Sequence, residues 1–110
     1  MFETNNKYVE ITKEIILSLV DKEKISVFLY GSRAANDARH DSDIDIGLWS
    51  SVKIDNTLIR QINDAIEESV VPYHIDITDF SKVNSKLKKI AAEKIIIWNR
   101  GIDLNLNLNH

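Results

Sequence analysis

The stretch Asp43-Ile44-Asp45-Ile46-Gly47-Leu48-Trp49 sets charged or small residues against aliphatic ones with a period of two. Successive side chains of a β-strand leave opposite faces, so the pattern predicts a strand with Ile44, Ile46 and Leu48 on one side. Asp43 and Asp45 then share the other side, about 6.5–7 Å apart along the backbone. One face reads as core and the other as a candidate site.

Residues 73–78, Tyr-His-Ile-Asp-Ile-Thr, repeat the alternation and predict a second such strand, with Ile75 and Ile77 on one side and His74, Asp76 and Thr78 on the other. If the two strands are neighbours in register, Asp43, Asp45 and Asp76 converge on one patch. Two unit charges about 4 Å apart repel by roughly 4 kcal/mol at an effective dielectric of 20, so a cation is expected there. Mg²⁺, with Mn²⁺ as a substitute, takes oxygen ligands and leaves room for substrate phosphates. Two such ions about 3.5–4 Å apart can activate an attacking hydroxyl and stabilise the leaving oxygen of an in-line displacement.

Working outward, Tyr8, Ile11, Ile15, Ile16 and Leu19 recur at helical spacing and predict an amphipathic helix over residues 6–21. Residues 25–30 suit a buried strand that stops at Gly31-Ser32, where Ser32 is placed to cap a short helical turn. Leu58, Ile59, Ile62, Ala65 and Ile66 mark a second helix capped by Asp55 or Asn56, and Pro72 punctuates the chain after it. Ser81 is expected to cap a third helix with Val83, Leu87, Ile90 and Ala91, followed by a strand over residues 95–98. This order predicts an α/β (α+β) fold, a mixed sheet of about four strands with helices packed on one face. Residues 1–100 form one domain in this reading, and residues 101–110 a tail that serves as an edge strand, a partner-docking arm or a frayed end.

Composition narrows the function. With 44% apolar and 28% charged residues the chain is an ordinary globular one, and its net charge of −3 argues against general nucleic-acid binding. The absence of cysteine removes disulfides, thiolate catalysis and cysteine-ligated metals. Apolar runs fall far short of the roughly 20 residues that span a bilayer, and the N-terminus lacks a signal-peptide pattern, so a cytoplasmic protein is expected.

Gly31-Ser32 at the end of the preceding strand supplies a phosphate cradle. Glycine permits close backbone approach, while the serine hydroxyl and the N–H groups of a starting helical turn donate to anionic oxygens. Gly31-Ser32, ten intervening residues, then Asp43-Ile44-Asp45 resembles the Gly-Ser-x10-Asp-x-Asp signature of the DNA polymerase beta nucleotidyltransferase superfamily. Within it, Leu29-Tyr30-Gly31-Ser32-Arg33-Ala34 and Ser42-Asp43-Ile44-Asp45-Ile46 are similar to the minimal MNT group, small proteins often paired with a HEPN-domain partner.

The resemblance covers nearly the whole chain and implies a polymerase beta-like fold with a metal-dependent activity, moving AMP from ATP to an acceptor hydroxyl. It implies that Asp43 and Asp45 bind both metals, that Asp76 binds the catalytic metal and helps activate the acceptor, and that Gly31, Ser32 and Arg33 hold the nucleotide. Arg39 is a further candidate phosphate or acceptor contact. Asn36 stands where relatives commonly have glycine, a departure that bears on the loop geometry. The acceptor implied is a hydroxyl, such as a tyrosine's, on a HEPN-type helical partner, the two proteins forming an antitoxin and toxin pair.

Plainer readings stand beside these. An Asp-x-Asp pair alone is usually a solvated strand face. Asp41, Asp43, Asp45 and Gly47 suggest an EF-hand loop, but its required sixth-position glycine is Ile46 and its twelfth-position glutamate is Val52. Asp79 is a rival third carboxylate, although alternation places it with Ile75 and Ile77, as a strand end or helix cap. His74 shares the Asp76 face and is a candidate substrate contact, although an exposed strand histidine is the commoner reading; His40 reads as loop, and Trp49 and Trp98 as packing residues. A non-catalytic module that neutralises its partner by binding is the alternative, because so small a domain is expected to need a partner or second subunit to complete a site. RNA or small-molecule nucleotidyl transfer is weaker, for want of basic surface or a substrate domain.

Overall fold

The computed structural model describes residues 2–34, 43–81, 89 and 93–101. Its elements run α1 (Phe2–Leu19), β1 (Ser26–Tyr30), α2 (Gly31–Ala34), β2 (Ile44–Trp49), α3 (Asn56–Glu67), β3 (Ile75–Asp79) and β4 (Ile96–Asn99). The expected third long helix lies outside the described residues, as do Asn36, Arg39, His40, Asp41 and the tail from residue 102 onward.

The strands form one mixed sheet in the order β3-β2-β1-β4. β1 runs antiparallel to β2 and to β4, with a register shift between Val27 and Phe28 on the β4 side. β3 runs parallel to β2, residue for residue: Ile44 faces Ile75, Asp45 faces Asp76 and Ile46 faces Ile77. A parallel neighbour needs a crossover, which α3 supplies.

Alternation sorts the residues by face. Val27, Leu29, Ile44, Ile46, Leu48 and Ile75 join Ile16 of α1 and Ile62 and Ile66 of α3 in one buried aliphatic cluster. Each such side chain taken fully out of water stabilises the fold by about 1.5–3 kcal/mol. The described helices α1 and α3 therefore lie on one face, as the pattern predicts. On the opposite face Phe28 and Phe80 are buried with Tyr30, Trp49, Ile95 and Ile97 around them. Gly47 makes that possible, since a Cβ there would overlap the Phe28 ring.

Three boundaries differ from the sequence pattern. The first helix begins at Phe2 rather than near Asn6, because once a turn exists each further residue adds a hydrogen bond at little cost. Its buried stripe runs through Thr12, Ile16 and Val20, four apart, and leaves Leu19 37% exposed. Thr12 is tolerated inside because its hydroxyl donates to the Tyr8 carbonyl at 2.8 Å. In the second case, α2 starts at Gly31, so Ser32 lies in its first turn rather than capping it. In the third, β2 starts at Ile44 and leaves Asp43 just before the strand, exposed. Asp55 is the cap of α3, accepting from the Thr57 N–H at 2.9 Å.

Candidate active site

At the C-terminal end of β1 the chain turns into α2 through Gly31, whose φ of 75° is a conformation that favours glycine. The position is also closed to any larger residue by contact, because a Cβ on Gly31 would overlap Oδ2 of Asp45. The Asp45 carboxylate is thus packed directly against the backbone that opens α2. Ser32 is exposed in that opening turn.

The parallel register sets Asp45 beside Asp76, one strand spacing of about 4.8 Å apart and on the same face. Asp43 is near enough that its charge, with that of Asp76, acts on Asp45. Burial pushes the Asp45 carboxyl up from its ordinary range, and the Asp76 and Asp43 charges push it further, against the opposing pull of His74 and Arg33. The three predicted aspartates therefore share one electrostatic patch beside Gly31 and Ser32.

Arg33 is oriented from two sides. Its Nε donates to the Asp43 carbonyl at 3.2 Å, and its guanidinium lies 4.7 Å from the centre of the Tyr73 ring. That ring in turn meets Tyr8 of α1 edge-on at 5.7 Å between centroids. Cation–π contact and a carbonyl acceptor hold the guanidinium on the Asp43 side of the patch.

Asp79, the rival acid, pairs with Leu48 in the ladder and accepts from the Ser81 N–H at 2.9 Å, so it ends β3 away from Asp76. His74 is exposed on the site side, where its charge acts on Asp45. Trp49 and Trp98 pack against the two apolar clusters. Tyr30 was not singled out by the sequence pattern. It lies opposite Asp45 in the β1–β2 register and donates its hydroxyl to Thr78 Oγ1 at 3.2 Å. Burial raises its pKa, the Thr78 hydrogen bond opposes this, and the Asp45 and Asp76 charges add to the rise. The signal available was alternation, which puts Tyr30 on the Asp45 face immediately before Gly31.

Comparison with known proteins places this arrangement. The family described as polymerase beta, nucleotidyltransferase matches residues 13–103, the greater part of the chain and all of the strands and the aspartates of the site. The chain belongs to that family. This polymerase beta family member is 23% identical over 95 residues to the probable protein adenylyltransferase MntA of Haemophilus influenzae, covering 86% of this chain and 82% of the relative. A crystal structure described as a toxin-antitoxin with AMP-PNP shares the fold at a TM-score of 0.56 and 18% identity, over 90% of this chain and 74% of that one. The MNT-type resemblance read from Gly31-Ser32 and Asp43-Ile44-Asp45 agrees with the family and with the MntA relative. The mixed sheet with helices is the fold expected of the family.

The donor set suits a hard divalent cation. Its atoms are all carboxylate oxygens, and burial together with the Asp76 and Asp43 charges pushes the Asp45 carboxyl up, a cost that a bound cation would relieve. Among the described residues no three His, Cys, Asp or Glu side chains close up as a cage. Mg²⁺ does not need one, since it is usually held by one or two carboxylates and completed by substrate phosphates and water. No helix among the described residues is long and apolar enough to cross a membrane.

Proposed function

We propose that this chain transfers AMP from ATP to a hydroxyl on a partner protein, a HEPN-type helical toxin whose activity the modification silences. The observation that carries the reading is the register that sets Asp45 against Asp76 at the Gly31 turn. The adenylyltransferase relative and the toxin-antitoxin neighbour with AMP-PNP support the choice of nucleotide and of a protein acceptor.

In this mechanism Ser32 and the N–H groups opening α2 take the phosphate tail, and Arg33 adds a fixed positive charge beside it. Asp43 and Asp45 would hold two divalent ions, with Asp76 on the ion nearer the acceptor. When bound, such ions polarise the phosphoryl oxygens and offset charge building on the leaving group. The acceptor oxygen attacks the α-phosphorus in line, the bond from that phosphorus to the bridging oxygen breaks, and pyrophosphate leaves with the electron pair. Asp76, the most exposed strand carboxylate of the patch, accepts the hydroxyl proton. Tyr30, fixed by Thr78, stands opposite Asp45 in the register at the margin of the patch.

The test is incubation with α-labelled ATP, Mg²⁺ and the partner protein. Label is expected on the partner with the wild-type chain and not with Asp43→Asn. Transfer by Asp43→Asn at the wild-type rate would remove the catalytic reading. Neutralisation of the partner by a triple alanine variant of Asp43, Asp45 and Asp76 would assign the protein to the binding-module alternative.

A further inference from the structure

β3 is an edge strand: among the described residues it pairs with β2 alone. The Ile44 N–H donates to the His74 carbonyl, and the Phe80 N–H donates to the Leu48 carbonyl. In a parallel ladder a residue turns both its N–H and its C=O to the same side, and alternate residues turn the opposite way. His74, Asp76, Thr78 and Phe80 therefore face β2, and Ile75, Ile77 and Asp79 turn their backbone groups outward.

A groove of about 450 Å³ follows that edge. Its wall on the sheet side is the unbroken run of residues 73–77, and its other wall is the end of α3 with Glu67. A groove over a sheet face would take alternate residues only, so this one runs along the backbone edge. It passes Asp76, and so opens on the reacting patch.

The groove is acidic. Asp76 and Glu67 line it, Asp64 and Glu68 lie on the same end of α3, and α3 has no basic residue in its last turn. Acidic groups at a helix C-terminus meet the negative end of the helix dipole, an arrangement that a cationic partner would relieve. His74 is the one titratable cation among the lining residues, and Arg33 lies behind Tyr73, engaged with its ring.

Resting on the transferase reading above, we propose that the outer edge of β3 receives an extended, basic segment of the acceptor protein as an added strand, bringing its hydroxyl side chain to Asp76. Backbone bonds to Ile75 and Ile77 fix the segment's register, and side chains alternate so that the residue level with Asp76 shares its face. Lys or Arg on the segment meets Glu67 and the acidic end of α3. A second copy of this chain does not fit, since edge-to-edge pairing brings Asp76 and Glu67 against their own kind. A polyphosphate backbone is repelled for the same reason.

The test uses the full ¹⁵N-labelled chain and two synthetic peptides, Lys-Lys-Val-Tyr-Val-Lys-Lys and Glu-Glu-Val-Tyr-Val-Glu-Glu. The basic peptide is expected to shift the Ile75 and Ile77 amides and slow their hydrogen exchange, and to bind at least about tenfold more tightly than the acidic one. Glu67→Lys, an exposed helix substitution, is expected to narrow or reverse that preference. Equal binding of both peptides, an unchanged preference in Glu67→Lys, or shifts confined to β4 would overturn the proposal. ATP titration of the wild-type sample reports the nucleotide reading separately, at the Gly31 and Ser32 amides. ATP uptake without basic-peptide uptake sinks the groove and leaves the transferase standing; peptide uptake at Ile75 and Ile77 without ATP uptake does the reverse.

Discussion

On the side that meets α1 and α3, Ile44, Ile46 and Leu48 are wholly withdrawn from solvent; one residue along, the same strand turns Asp45 and Gly47 to the other side. The first side is chemically uniform and gains by being dry. The second mixes Phe28, Phe80 and Tyr30 with a group of like charges, and its worst-placed charge, on Asp45, is pushed toward neutrality. Stability is concentrated on one side of a single layer and chemistry on the other. The contrast teaches that a substitution's effect here is set by its parity along the strand.

The largest expected effect tests the chemical side. Asp45→Asn should lower AMP transfer by roughly a thousandfold, about 4 kcal/mol of transition-state stabilisation, while the circular dichroism spectrum is retained. Retained transfer would break the assignment. Next to it, Ile46→Ala on the opposite side should cost about 2–5 kcal/mol in a urea melt, with ATP affinity per folded molecule unchanged. Gly47→Val sharpens the boundary, because it lies on the acidic side yet packs under Phe28. About 1–3 kcal/mol of overpacking loss is expected, seen as a lower urea midpoint.

The smallest effects are the most diagnostic. A carboxyl whose folded pKa is raised binds its proton more tightly folded than unfolded. In chelator-treated protein Asp45 therefore lowers stability as pH rises from its unfolded value through its folded one. Asp45→Asn should remove that slope and raise Tm by about 1–2 °C at neutral pH, the gain being limited by the exposed part of the carboxylate. Asp55 runs the other way. The Thr57 N–H holds its pKa down, so its contribution is present above the ordinary carboxylate value and is lost as pH falls through the folded one. Asp55→Ala should lower Tm at pH 7 and lose that effect in acid; a pH-independent difference would show that the cap is not acting through its charge.

Much of this is legible in the sequence itself. Alternation at residues 43–49 and 73–78 separates core from site without knowledge of partners, since strand parity is local. The register of Asp45 against Asp76 is not local: nothing in either segment says which strand it meets or in which direction, and only the α3 crossover fixes it. Arg33 shows the same limit. Its sequence neighbours permit a phosphate contact or a surface ion pair, and its actual ring partner, Tyr73, is far along the chain. Tyr30 was passed over because an aromatic residue at a strand end ordinarily reads as packing. Helix ends were missed by several residues at Phe2 because polar residues propagate a helix that others nucleate.

The equal pitch of β2 and β3 bears on how this molecule can fail. Sliding β3 by one residue would carry Asp76 toward the interior and lift Ile75 and Ile77 into water, so mispairing exposes grease and buries charge at once. A one-residue slip is thereby opposed from both sides at once, so the commonest local misalignment costs fold as well as site. Damage to the core should deplete the number of working molecules rather than degrade the accuracy of each.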